Sequence, residues 1–393
     1  MCEPQNRCAI CDIPITSEND SREHIIPNAL GGRRTVTGFI CASCNSTTGH
    51  SWDAVLARQL NPFCLFFHIT RQDGEPPAQV FPTIDGGTIR VTYDALELPK
   101  PTINFTSHPA GTQIQATART MAEAREILTG LKRKYPQIDI DAALASATST
   151  YSYLNAPIRM DIQIGGPDAG RSIVKSAFAL AVANRVSPSE CDEARRYFAS
   201  GEDACFGYFN EFDVIEGRPP NTVIHCAAVS STAEGLLLGY VELFSAFRMV
   251  ICLSSNYHGK PVNAVYAINP VTGAELDLAV RLNFSRLDLK EIYAYLRVFD
   301  GSVPQALHEI IPDAMKRQFE REKTRVIERA VKDSWRNLGL EPGTELTREH
   351  IMKLSGLIVE QMLPFLQRNA QRQRNAPQQG ISSVPEDDTQ KET

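Results

Sequence analysis

The sequence predicts an α+β protein: a small cysteine-rich motif at the N-terminus, an α+β middle domain with an antiparallel sheet, and a helical C-terminal region. Two C-x-x-C pairs predict the first region, because cysteines at this spacing are typical of metal-stabilised motifs. Short apolar stretches between Pro and Gly turns predict the sheet. Apolar residues at helical spacing beyond Val303 predict the C-terminal helices.

The length of 393 residues also favours several domains, since a single hydrophobic core rarely grows beyond about 250 to 300 residues. The composition changes along the chain suggest the boundaries. We expect the cysteine-rich motif at 1–70, the α+β domain at 71–300, the helical region at 301–368 and a tail at 369–393. The tail is rich in Gln, Asn and acidic residues and has few large apolar ones, which predicts disorder.

The two cysteine pairs predict one structural zinc site. Four thiolates are the number that a tetrahedral zinc needs, and each C-x-x-C pair can wrap one side of the ion. The candidate ligands are Cys8, Cys11, Cys41 and Cys44.

The remaining cysteines are scattered without a pattern, which is typical of a reducing compartment and not of a secreted disulfide framework. They are Cys2, Cys64, Cys191, Cys205, Cys226 and Cys252. The N-terminus lacks an apolar signal region, and no run of about eighteen apolar residues could span a membrane. We therefore expect a cytoplasmic protein without a membrane partner.

The segment between the two cysteine pairs is longer than usual in zinc motifs, which indicates an additional folded element. It contains Glu23 and His24 side by side on a short predicted strand. Adjacent strand residues point to opposite faces, so both can face one ligand only if the backbone turns or bulges there. Pro27 and the Gly31-Gly32 pair predict a loop, and Asn45 opens a predicted helix directly after the last cysteine.

The order of these motifs resembles the HNH endonucleases, also called ββα-metal or His-Me finger nucleases, in their zinc-stabilised branch. The shared motifs are C-x-x-C, Glu-His-Ile-Ile-Pro, Leu-Gly-Gly and C-x-x-C-Asn, and they cover about the first sixty residues. The resemblance implies a ββα-metal fold for the motif and metal-dependent hydrolysis of phosphodiester bonds in nucleic acid, with DNA as the expected substrate.

The resemblance also implies a role for each matching residue. His24 corresponds to the general base that activates the attacking water. Glu23 and Asn45 correspond to ligands of one catalytic divalent ion, and the four cysteines to a structural zinc site that takes no part in cleavage. Oxygen ligands favour Mg²⁺ or Mn²⁺ at the catalytic site, whereas thiolates favour zinc at the structural site.

The sequence departs from the family pattern between the Gly-Gly turn and the second cysteine pair. Many members carry an Asn there that orients the general base, whereas this chain has Thr35 and Thr37. Two further residues are candidates for the site. His50 lies one turn beyond Asn45, and Asp53 could reach the metal loop, although an exposed acid in a first helical turn is also common.

The residue types support this chemistry without the resemblance. Phosphodiester hydrolysis needs a nucleophilic water, stabilisation of the charge on the transition state and help for the leaving oxygen. A neutral imidazole can take the proton of the water, and a divalent ion can cover the other two tasks. Arg33 and Arg34 are candidates for phosphate contact, although solvated surface charges would give the same pattern.

Beyond the motif, the sequence predicts alternating helices and strands. The helix opened by Asn45 is predicted to run to Leu60 and to end at Asn61-Pro62. Three stretches have the alternating pattern of strands, namely 79–84, 88–96 and 151–164. Helices are predicted at 121–134 and 171–184, and the second should be buried because it is mostly apolar.

A second β-rich block is predicted to hold three neighbouring strands, at 223–229, 236–253 and 262–268, with a turn at 269–273. His225 and His258 lie in this block without Cys, Asp or Glu at ligand spacing, which favours structural roles.

Two long helices follow, at 306–338 and 347–366. The first is rich in basic residues, but Glu320, Glu322 and Glu328 alternate with them. This alternation favours a solvated face of ion pairs over a DNA-binding stripe.

The formal net charge of −6 excludes a globally basic nucleic-acid-binding protein, so contact with DNA must be local. We interpret the chain as a metal-dependent HNH endonuclease. The alternative is a zinc-stabilised module that binds nucleic acid or protein without cutting. The intact Glu23, His24 and Asn45 favour the enzyme, whereas the missing Asn and the acidic charge favour the binding module.

Overall fold

The structure is a computed structural model of the chain that describes residues 7–109, 111–148, 153–154, 156–299, 301–340 and 343–375. The chain divides into two compact units, Met1–Pro312 and Asp313–Thr393. Helices and antiparallel sheets occur together, which confirms the predicted α+β class. Within the described ranges, no helix is long and apolar enough to cross a membrane.

The N-terminal motif has the predicted ββα arrangement. Strands β1 (Glu23–His24) and β2 (Thr35–Val36) form an antiparallel hairpin, and helix α1 (Ala42–Thr48) follows. The helix begins before the predicted start at Asn45, because Cys41 already serves as its N-cap residue in an extended conformation. The second cysteine pair is therefore part of the start of the helix.

A π-helical turn at Gly49–Asp53 joins α1 to helix α2 (Ala54–Phe67), which continues through Pro62. The predicted end of the helix at Asn61-Pro62 is therefore wrong. A proline inside a helix costs about 3 kcal/mol, whereas burying one large apolar side chain contributes about 1.5 to 3 kcal/mol. Phe63 and Phe67 both pack on Phe244, at ring distances of 5.3 and 5.8 Å, and this packing outweighs the cost.

Short strands and two helices follow α2. They are β3 (Gln79–Pro82), β4 (Thr88–Val91), β5 (Leu96–Glu97), β6 (Thr102–His108), β7 (Gly111–Thr117), α3 (Met121–Lys132) and α4 (Ile140–Ala145). The strand predicted at 151–164 is not confirmed: residues 151, 152 and 155 lie outside the described residues, and the described part forms only one isolated bridge, between Thr83 and Ile158.

The remaining elements of the first unit build the large sheet and its cover. They are α5 (Pro167–Ala183), α6 (Asp192–Ser200), β8 (Phe206–Tyr208), β9 (Ile215–Glu216), β10 (His225–Ser231), β11 (Leu237–Leu243), β12 (Phe247–Ser254), β13 (Asn263–Asn269), β14 (Ala274–Leu276), β15 (Ala279–Val280) and α7 (Arg286–Tyr293). Six strands form one antiparallel sheet in the order β14-β13-β10-β11-β12-β8, and β9 pairs with β15.

The stretch predicted as one strand at 236–253 is two strands, β11 and β12, joined by a tight turn. The prediction of three strands was wrong because the turn carries no Gly or Pro. Phe244 and Ser245 both adopt positive φ angles, 52° and 58°, a conformation that ordinary residues avoid. Hydrogen bonds hold it: Phe244 N–H donates to His225 Nδ1, and Ser245 Oγ accepts from Ile224 N–H at 2.9 Å.

Helix α5 lies between the N-terminal motif and the large sheet. It contacts β10, β11 and β12 on one side and the π-helical turn, β1 and β2 on the other. Twelve of its residues are buried, so the prediction of a buried helix is confirmed. This position makes α5 the element through which the motif and the sheet share one core.

The C-terminal region is helical, as predicted. Helix α8 (Ser302–Leu338) begins in the first unit and continues into the second, which also contains α9 (Arg348–Asn375). The rings of Phe319 and Phe365 lie 5.8 Å apart, and ion pairs such as Lys323–Glu320 line α8. Helix α9 includes residues 369–375 of the predicted tail, and residues 376–393 lie outside the described residues.

Candidate active site and metal centre

Two segments bring the four predicted zinc ligands together. Cys8 and Cys11 lie on a tight turn, and Cys41 and Cys44 lie at the start of α1. All four Sγ atoms lie within 4.8 Å of one another, and those of Cys11 and Cys41 are 3.8 Å apart. A tetrahedron with Zn–S bonds of about 2.3 Å has edges of about 3.8 Å. The cluster therefore has the dimensions of a four-thiolate zinc site.

The surroundings of the cluster favour a bound cation. Burial opposes ionisation of Cys8, but backbone N–H groups, including that of Cys41 at 3.4 Å, lower the pKa of its thiol to about 7. Burial and the neighbouring Cys11 and Cys41 thiols raise the pKa of Cys44. A bound cation such as a zinc ion would offset the cost of ionising Cys44 beside these thiols.

Glu23 and His24 face opposite sides of the hairpin. The Glu23 side chain is 5% exposed, whereas His24 is half-buried at the surface. The pairing of Glu23 with Val36 and of His24 with Thr35 is regular, so no bulge turns the two side chains toward one another. Successive side chains of the strand therefore point to opposite faces, and that of Glu23 points into the interior.

Glu23 ends in a buried cluster around Lys175 of α5. The Lys175 Nζ atom lies 2.7 Å from Glu23 Oε1, 2.6 Å from Asp53 Oδ2 and 3.4 Å from Thr48 Oγ1. Ser172 donates a hydrogen bond of 2.6 Å to the other carboxylate oxygen of Asp53. Asp53 is therefore bound to α5. The ammonium group finds three partners in the motif, which replace its lost hydration.

Two acids share one ammonium in this cluster. Burial alone would lower the pKa of Lys175, but the Asp53 and Glu23 carboxylates raise it above its ordinary value. Burial and the nearby Asp53 carboxylate raise the pKa of Glu23 more than Lys175 lowers it. The cluster has an excess of acid over base, which favours binding of a further cation or proton.

The His24 imidazole is held by a residue from beyond the motif. Its Nε2 atom lies 2.8 Å from Oε1 of Gln72. Gln72 is fixed in turn by Asn28, whose Oδ1 accepts from the Gln72 N–H at 3.0 Å. Thr35 and Thr37, which occupy the region of the missing Asn, are both exposed.

Asn45 lies against the hairpin. Its Nδ2 donates to the carbonyl oxygen of Arg22 at 3.2 Å, which places the side chain beside the residue that precedes Glu23. Because Nδ2 makes this bond, the amide oxygen keeps its capacity to accept or to bind a cation. His50 is exposed and its Nδ1 is bonded to the Ser46 carbonyl at 2.7 Å, within its own helical segment.

The loop after β1 is anchored to the large sheet. Gly31 has a φ of 92°, and a Cβ atom on Gly32 would lie 1.8 Å from the Ile26 carbonyl oxygen, so both positions need glycine. His225 of β10 contacts the Leu30 carbonyl through Nε2 at 2.9 Å. Burial lowers the pKa of His225 to about 4, so the neutral ring serves as a structural link.

Arg33 and Arg34 are also anchored to the sheet. Their N–H groups both donate to the hydroxyl of Tyr266, each at 3.1 Å. The Arg34 guanidinium lies 4.6 Å from the centre of the Tyr266 ring and forms an ion pair with Glu275. A phosphate group would therefore have to compete with Glu275 for Arg34.

Sequence reasoning missed Lys175 and Gln72. The signal for Lys175 is a lysine within the mostly apolar part of a helix, because a buried ammonium needs carboxylate partners. Gln72 has no comparable signal, since its approach to His24 depends on how α2 ends and on the side chain of Asn28.

Comparison with known proteins agrees with the N-terminal geometry. The family model described as HNH endonuclease matches residues 8–61, the segment that holds the cysteine cluster, the hairpin and α1. No curated protein and no solved structure matches the chain significantly. The N-terminal segment carries the motif of the HNH endonuclease family.

Proposed function

We propose that this protein is a metal-dependent HNH endonuclease that hydrolyses phosphodiester bonds in nucleic acid, with DNA as the substrate. The position of His24 carries the proposal. The imidazole lies at the surface of the hairpin, and its hydrogen bond at Nε2 leaves Nδ1 for another partner. The family match over residues 8–61 supports the same chemistry.

The nine cysteines among the described residues form no disulfide bonds, which supports a cytoplasmic location.

His24 would act as the general base. Its neutral ring takes one proton from a water molecule while the oxygen of that water bonds to phosphorus. The bond between phosphorus and the bridging sugar oxygen breaks, and that oxygen takes up a proton from solvent. The products are one end with a phosphate monoester and one end with a hydroxyl group.

A divalent ion such as Mg²⁺ or Mn²⁺, when bound, would stabilise the charge that develops on the phosphate. Asn45 offers its amide oxygen. Glu23 points into the interior, on the opposite side of the hairpin from His24, so it would join the ion only after its carboxylate leaves Lys175 and turns outward. The excess of acid around Lys175 supports a cation in this region. The four clustered cysteines would hold the structural zinc that joins the turn at Cys8 and Cys11 to the start of α1.

Arg33 and Arg34 would contribute to substrate binding. Both lie directly after the Gly-Gly turn, and Arg34 is exposed. Arg34 would exchange Glu275 for a backbone phosphate, so binding should be weak and should depend on salt.

One observation favours the alternative of a binding module. The carboxylate that the resemblance assigns to metal binding is buried and paired with Lys175. A lysine in this position could neutralise Glu23 permanently, and the motif would then bind nucleic acid or protein without cutting it.

A cleavage assay separates the two functions. Purified protein is incubated with supercoiled plasmid, single-stranded DNA and RNA, in Mg²⁺, in Mn²⁺ and in excess EDTA, and binding is measured on the same substrates. We expect nicking of the plasmid in Mg²⁺ or Mn²⁺ and none in EDTA. Binding without cleavage in every ion would contradict the nuclease and support the binding module.

A further inference from the structure

We infer that Gln72 positions the His24 imidazole, in place of the Asn that orients the general base in many HNH endonucleases and that this chain lacks. The inference rests on the proposed nuclease function. Gln72 lies beyond the matched segment 8–61, yet its Oε1 atom lies 2.8 Å from His24 Nε2. Its side chain carries the same primary amide group as Asn, with one more methylene to span the distance from a different segment.

The contact determines which nitrogen of His24 can act as the base. A carbonyl oxygen only accepts hydrogen bonds, so the contact with Gln72 Oε1 requires a hydrogen on Nε2. A neutral imidazole with its hydrogen on Nε2 has its lone pair on Nδ1. Gln72 therefore selects the tautomer in which Nδ1 is ready to take the proton of a water molecule.

Gln72 is held in position by the loop that follows His24 in sequence. Asn28, directly after Pro27, accepts a hydrogen bond of 3.0 Å from the Gln72 N–H and donates one of 3.4 Å to Asp73 Oδ2. The side chain of Asn28 thus binds both residue 72 and residue 73. These two hydrogen bonds place the backbone of Gln72 beside His24. Only the side-chain torsions of Gln72 then remain free to bring its amide group to the imidazole.

Neither threonine of the family's Asn region takes this role. Thr35 lies opposite His24 in the hairpin but is exposed, and Thr37 is exposed two residues further on. A threonine hydroxyl can donate or accept, so it would not select one tautomer. An amide oxygen only accepts hydrogen bonds, so the amide oxygen of Gln72 selects a single tautomer of the His24 ring.

Substitutions of Gln72 test the inference through cleavage. Gln72→Met keeps the length of the side chain and removes the acceptor, and we expect kcat to fall about 10- to 100-fold with KM unchanged. Gln72→Glu keeps an acceptor at the same position and should retain most of kcat. The control is Gln113→Met: Gln113 contacts His108 at 3.4 Å on the exposed β6–β7 hairpin, and its loss should leave kcat unchanged. Equal kcat in Gln72→Met and wild type would overturn the inference.

A measurement without substrate separates this inference from the nuclease proposal. In protein with ¹⁵N-labelled histidine, two-bond ¹⁵N–¹H spectra report the tautomer of each ring, and His24→Ala identifies the His24 signals. We expect the Nε2–H tautomer in the wild type and a mixture of tautomers in Gln72→Met. A wild-type His24 with its hydrogen on Nδ1 would overturn the inference even if the protein cuts DNA. If the protein cuts nothing, the expected spectra would still establish the contact, and only the nuclease function would fail.

Discussion

The ammonium group of Lys175 lies 2.7 Å from the carboxylate of Glu23, although Lys175 belongs to helix α5 and Glu23 belongs to the N-terminal hairpin. Asp53 shares the same ammonium at 2.6 Å. The hairpin is therefore joined to the rest of the molecule by a buried ion cluster, in addition to the apolar contacts of α5.

Removal of Lys175 should destabilise the fold strongly. Lys175→Met would leave Glu23 and Asp53 buried without a cation, and loss of one partner of a buried ion pair costs about 3 to 5 kcal/mol. We expect a drop of this size in the free energy of unfolding, measured by chemical denaturation. The triple variant Glu23→Gln, Asp53→Asn, Lys175→Met removes all the charges and should recover most of the loss. Equal stability of Lys175→Met and wild type would show that the ion cluster does not stabilise the fold.

The cysteine cluster predicts about one zinc ion per chain. Cys44→Ser should lose the zinc and unfold the N-terminal motif, because three thiolates leave the tetrahedron open and the motif is too small to fold on its core alone. Cys252→Ser is the matched control, since Cys252 is buried but lies outside the cluster. Elemental analysis and circular dichroism measure the two effects. Folded wild-type protein without zinc would contradict the prediction.

His225 should make the fold sensitive to acid. Its folded-state pKa, lowered to about 4 by burial, lies below the ordinary value of 6.5. Below that ordinary value the unfolded chain takes up a proton that the folded chain refuses, so stability falls as the pH falls toward 4. Between pH 7 and 5 this amounts to about 2 kcal/mol.

The variant His225→Gln isolates this contribution. Gln can still donate to the Leu30 carbonyl but does not titrate. We expect its free energy of unfolding to fall by about 2 kcal/mol less than that of the wild type between pH 7 and 5. Identical pH dependence in the two proteins would mean that the His225 ring is not neutral in the fold.

The parts of the site that depend on local sequence could be predicted, and those that depend on distant segments could not. C-x-x-C spacing brings two thiols to one side of an ion, and strand alternation separates Glu23 from His24, so both features follow from neighbouring residues. Lys175 and Gln72 reach the same hairpin from segments far along the chain. No local pattern relates those segments to β1.

The fold, too, could be predicted only where it depends on neighbouring residues. The apolar composition of α5 was sufficient to predict a buried helix. The end of α2 and the turn at Phe244 were predicted wrongly, because both are determined by tertiary contacts. Phe63 and Phe67 pack on Phe244 and carry α2 past Pro62, and His225 holds the Phe244 N–H in a turn that the sequence does not signal.

The role of His24 as the base of a metal-dependent nuclease is tested most directly by a plasmid-nicking assay. The assay compares His24→Ala with Asn45→Ala over a range of Mn²⁺ concentrations. A general base contributes a factor of about 100 to 10,000 that added metal cannot replace. A lost oxygen ligand weakens binding of the ion, and a higher concentration restores its occupancy. His108→Ala, on the exposed β6–β7 hairpin, is the control for loss of a histidine elsewhere.

We predict that His24→Ala keeps its zinc and its fold but loses nicking at every Mn²⁺ concentration, that Asn45→Ala recovers activity as Mn²⁺ rises, and that His108→Ala cuts like the wild type. Nicking by His24→Ala at the wild-type rate would contradict the account.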